Sequence, residues 1–142
     1  MTRTLIIVAV ALAITPATQA ESKEEGLAKL QGKWRVERIE ENGVAEPDEE
    51  AKRFVLVFKE NRINVELRGQ VEHTDFQIDP TKSPKEIDMI PQYGDDKGKK
   101  FRGIYEIDGD TLRICATPLA ERPKKIVSEQ GTLILILKRA KD

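Results

Sequence analysis

The chain contains one cysteine, Cys115, and one histidine, His73. A lone cysteine excludes a disulfide framework within one molecule, so stability has to come from packing. A lone histidine excludes a multi-histidine metal site and a Ser-His triad with a spare base. Aromatic residues are scarce, at 5% of the chain. Charge of one sign is missing too: 35% of residues are charged, yet the formal net charge is -1. That balance gives no electrostatic case for nucleic acid or an anionic membrane. Gly-rich phosphate cradles and nucleophile elbows are absent. No cofactor is implied, and an enzyme is not expected.

The apolar run at residues 5–14 is too short to span a bilayer. It follows Arg3 and precedes Pro16 and a small-residue ending at Ala20, the arrangement of an export leader. No cysteine follows Ala20, so a lipid-anchored variant is not supported. Residues 1–20 therefore read as a signal peptide and residues 21–142 as a single domain, periplasmic or extracellular, with no membrane span after leader removal.

The mature part opens with a helical pattern over residues 22–31. Ser22 can cap it, Glu24 and Glu25 suit its first turn, and Leu27 and Leu30 share a face. From there the chain reads as strand after strand. Segments 33–40, 53–60, 63–67, 72–79, 86–90, 100–107, 111–117 and 132–138 alternate or are rich in β-branched and aromatic residues. Residues 46–52 read as a loop or one helical turn, and residues 126–127 as a brief extended stretch. Asn42-Gly43 and Asp108-Gly109 are hairpin signals, the latter the strongest, through a type I′ turn with positive φ at both central positions.

About eight strands joined by short turns, without helical crossovers, predict an all-β fold. Such a meander closes on itself to remove its edges, giving a small up-and-down antiparallel β-barrel with a short N-terminal helix. An open sandwich is the alternative. The doubly apolar runs 54–58 and 133–137 predict strands covered on both faces, one of them by the N-terminal helix.

Gly32-Lys33-Trp34, opening the first strand after a helical turn, resembles the Gly-x-Trp start of lipocalins, whose tryptophan plugs one end of the barrel. Three later blocks carry a closer likeness: residues 79–88, residues 98–115 and Glu121-Arg122-Pro123. They resemble an uncharacterised lipocalin-like domain family of exported planctomycete proteins, over residues 30–139. The resemblance implies a lipocalin-like fold and export; it brings no reaction, ligand or catalytic residue. Ile126 departs from the aromatic expected after the Arg-Pro loop.

Candidate chemistry is thin. His73 and Asp75 share a strand face beside Glu72, which is short of the ligand count a metal needs. Asp108 and Asp110 echo a calcium loop without its spaced oxygens or closing glutamate. Cys115 reads as a small buried apolar residue. The twice-prolinated segment 79–88, with Lys82 and Lys85, could gate a barrel mouth, dock a partner, or serve as a crossover locked by Asp79 and Ser83.

Two functions remain. The first is a binding module whose lumen, lined by Trp34, Val36, Phe76, Tyr105 and Ile114, holds a small hydrophobic ligand. The same five residues could instead simply fill the lumen. The second is a structural or interaction module that meets an envelope protein through its loops.

Overall fold

The computed structural model describes residues 9–11, 13 and 20–141. The leader assigned to residues 1–20 lies almost wholly outside them. Among the described residues no helix is long and apolar enough to cross a membrane.

Helix α1 (Lys23–Leu30) starts at Ser22, whose hydroxyl accepts from Glu25 N–H at 3.1 Å. Nine strands follow, with a four-residue helix among them. They are β1 (Gly32–Glu41), β2 (Val44–Ala45), α2 (Asp48–Ala51), β3 (Val55–Lys59), β4 (Arg62–Leu67), β5 (Gln70–Asp79), β6 (Lys85–Pro91), β7 (Phe101–Asp108), β8 (Thr111–Thr117) and β9 (Leu133–Arg139). Every sequence-adjacent pair from β3 to β9 is antiparallel, β1 joins β3, and β1–β9 pairing closes the ring. The result is an eight-stranded up-and-down barrel, consistent with a lipocalin-like fold, with β2 hooked onto the end of β1.

Inward alternation decides what each strand buries. On β9, Leu135 and Leu137 face the lumen while Ile134 and Ile136 face out. Strand β1 changes phase part-way. Val36 pairs with Leu137 and Arg38 with Ile136, leaving Glu37 as the extra residue of a β-bulge. Past the bulge Ile39 pairs with Leu135 and Glu41 with Leu133, so both point inward.

The outer faces of β7, β8 and β9 carry a second core of Ile104, Cys115 and Ile134, with Ile126 and Ile136 packed against it. The expectation that the N-terminal helix covers a strand face is corrected: α1 lies against the end of β5, and the irregular segment 118–132 supplies Ile126 to the outer side of β9. Residues 126–127 form no strand. Their role is cover, and Ile126 fills the place where an aromatic was expected. The turn at Gly109 also differs. Gly109 has φ 57° and Asp110 is not in the positive-φ region, the sign pattern of a type II′ turn, not I′.

Helix α1 seals one pole. Trp34 is fully buried and its Nε1 donates to Leu30 O at 2.8 Å. Arg139 stacks over the indole, 4.2 Å from the ring centroid, and donates to Lys29 O at 2.8 Å and Gln31 O at 3.0 Å. One guanidinium thus caps the helix C-terminus and covers the tryptophan. Pro80 packs so closely on α1 that a Cβ on Gly26 would sit 3.0 Å from Pro80 Cγ.

Glu21 ties the same pole together, meeting Lys29 and Lys85 at 2.5 Å each. These ammonium groups, Lys29 first, hold its carboxyl below the usual carboxylate range. Because the folded value is the lower one, the contribution is complete above the ordinary value of 4.5 and is lost as pH falls through the folded one. The stability gap between the native chain and Glu21→Gln is therefore expected to be level near neutrality and to close in acid. Urea unfolding as a function of pH checks this, and a gap that persists to about pH 2 contradicts it.

Candidate functional site

The five lumen residues picked from the sequence lie in the principal core. Trp34 and Ile114 are fully buried, and Val36, Phe76 and Tyr105 are 1–2% exposed. Phe76 meets Phe58 edge-on, centroids 5.3 Å apart. Burial first, then the charges of Glu21 and Asp79, push the Tyr105 phenol up to about 12. Its oxygen meets no hydrogen-bond partner among the described residues. This half of the barrel is filled by side chains.

The other half is open. A cavity of about 480 Å³ lies at the mouth, and none of those five residues lines it. Its walls come from seven strands and from the α2 corner. Ile39 and Glu41 come from β1, Leu56 from β3, Ile63 and Val65 from β4, and Thr74 from β5. Met89 and Pro91 come from β6, Phe101 from β7, and Leu133 and Leu135 from β9. Glu46, Glu50, Ala51 and Phe54 surround α2, and Tyr93 and Asp96 stand on the β6–β7 connection.

Trp34, Phe58, Phe76 and Tyr105 lie toward the sealed pole, whereas the mouth is lined by aliphatic side chains, the rings of Phe54, Tyr93 and Phe101, and the small Ala51 and Thr74. Helix α2 folds over the rim through Ala51, which is fully buried. Ala51 N–H donates to Pro47 O at 3.0 Å, and Phe54 N–H donates to Ala51 O at 3.1 Å. Burial and the nearby charge of Glu72 raise the Tyr93 phenol above its ordinary value, so it stays a neutral hydroxyl at the wall. The lining therefore combines an apolar body with a few polar groups, as small-molecule sites do.

The other sequence candidates separate from this site. His73 Nδ1 lies 2.9 Å from Asn64 Oδ1 on an exposed face, and Asp75 meets Arg62 at 3.6 Å. Among the described residues no group of three or more His, Cys, Asp or Glu is placed to hold a metal. Cys115 is fully buried in the outer core, where burial pushes its thiol up. The proline segment cannot gate the mouth, because Pro80 and Lys85 belong to the α1 pole. Asp79 does lock its turn, accepting from Thr81 N at 3.1 Å and Thr81 Oγ1 at 2.5 Å.

Inward alternation gives the lumen residues on each strand, but which end is filled depends on α1 docking at Trp34. Counting antiparallel register away from Trp34 is the signal that places the mouth at the C-terminal half of β1 and the N-terminal end of β9. Comparison of the chain with protein-family models, curated proteins and solved structures gives no match.

Proposed function

We propose that this domain binds a small hydrophobic molecule in the mouth cavity. The observation that carries the reading is the apolar-lined space of about 480 Å³ behind α2, within the range of about 300–1,000 Å³ that small-molecule pockets occupy. Export of residues 21–142 after a leader, and kinship with the exported planctomycete domain family, belong to the same proposal. They are supported by the leader pattern and by the three sequence blocks quoted above.

The test is titration with a neutral solvatochromic dye such as Nile red. The native chain is expected to bind one equivalent saturably with enhanced emission. Val65→Trp, which places a bulky ring in the cavity wall, is expected to abolish uptake while the circular dichroism spectrum is kept. Equal uptake by both chains, or none by the native chain, overturns the reading.

A second reading, an envelope interaction module, has one observation in its favour. Lys82, Lys85, Lys124 and Lys125 line one open groove together with Ile104, Glu106 and Ile126. Retained association with an envelope protein in the Val65→Trp chain would favour it.

A further inference from the structure

The mouth has a chemical polarity that narrows its ligand class, an argument that rests on the cavity reading above. Four carboxylates line the cavity, Glu41, Glu46, Glu50 and Asp96, and no lysine, arginine or histidine does. Two of the four are compensated by cations nearby. Glu50 meets Arg53 at 3.4 Å and Arg68 at 3.6 Å, and Asp96 meets Lys99 at 3.1 Å. Glu41 and Glu46 have no ion-pair partner among the described residues. They stand at the water boundary, where β1 ends and the chain runs into α2.

We infer that the cavity selects cationic amphiphiles, with the apolar body between the strands and an ammonium head at Glu41 and Glu46. A carboxylate head placed there would meet like charge, while an alcohol would gain nothing from the pair. The ligand class is thus a long-chain amine or quaternary ammonium, not a fatty acid.

Three probes of equal chain length separate head from tail: decyltrimethylammonium, decanol and decanoate, each competed against Nile red at low salt below its aggregation threshold. The ammonium is expected to bind about three- to tenfold more tightly than decanol, as two solvent-edge ion pairs allow, with decanoate weakest. Added salt is expected to shrink that advantage. In the Glu41→Gln/Glu46→Gln chain the ammonium is expected to fall to the affinity of decanol, while decanol itself is unchanged, which reports an intact cavity. If decanol or decanoate matches the ammonium, or the advantage survives in the double variant, the selectivity is wrong although the cavity still binds. Dye uptake with no competition by any of the three overturns it equally. Absence of dye uptake removes the cavity reading together with the selectivity.

Discussion

Trp34→Ala is expected to lower the unfolding free energy by about 3–5 kcal/mol, the usual cost of emptying a fully buried aromatic site. The position is worse than a simple cavity. The indole also supplies the donor for Leu30 O and the platform for Arg139, whose fork holds two carbonyls at the end of α1. Removing the ring frees the guanidinium and with it the helix that seals the pole. Denaturant unfolding followed by circular dichroism measures the loss, and Trp34→Phe is expected to restore the greater part of it. A loss below about 1 kcal/mol for the alanine variant would mean that the indole does not fill the pole.

The second large effect is at Arg122. Its guanidinium approaches Asp88 at 2.7 Å and Glu86 at 3.6 Å, and donates to Gly103 O at 2.8 Å and Ile87 O at 3.3 Å. These groups are one-quarter to one-third exposed, so solvent screens the pairs in part. Arg122→Ala is expected to cost about 2–3 kcal/mol, because two carboxylates and two carbonyls lose a charged donor together. A second readout is independent of global stability. Arg122 anchors the segment that supplies Ile126 to the outer core, and Cys115 is fully buried in that core. Thiol labelling of Cys115 in native buffer is expected to accelerate at least about tenfold in the variant, as a locally opened segment would allow. Unchanged labelling would show that the segment holds without its anchor.

Much of the barrel could be read directly from residue order. Strands such as β4 alternate apolar and polar residues because Ile63 and Val65 face the core, and Ser22 stands where an N-cap must. Closure follows from the edge problem of a meander. Two things were hidden. The double apolar character of 133–137 announces cover on both faces but not its source, and segment 118–132 has no period by which to reveal itself. The site was hidden for a related reason. Trp34, Val36, Phe76, Tyr105 and Ile114 all face inward as the pattern says, yet inwardness does not distinguish a packed pole from an open mouth. That distinction is made by α1 and Arg139, which meet the barrel end across 110 residues of sequence separation.

The bulge in β1 sets the character of the opening. If β1 ran on without the bulge, with Glu37 opposite Ile136, Ile39 and Glu41 would turn outward and Arg38 and Glu40 would enter the cup. Loss of Glu37 itself would only regularise the strand and keep Ile39 and Glu41 inward. The tryptophan end, upstream of that step, would keep its arrangement. Register, not residue number, therefore decides which charges of this strand the opening presents, while the closed base goes on holding the fold.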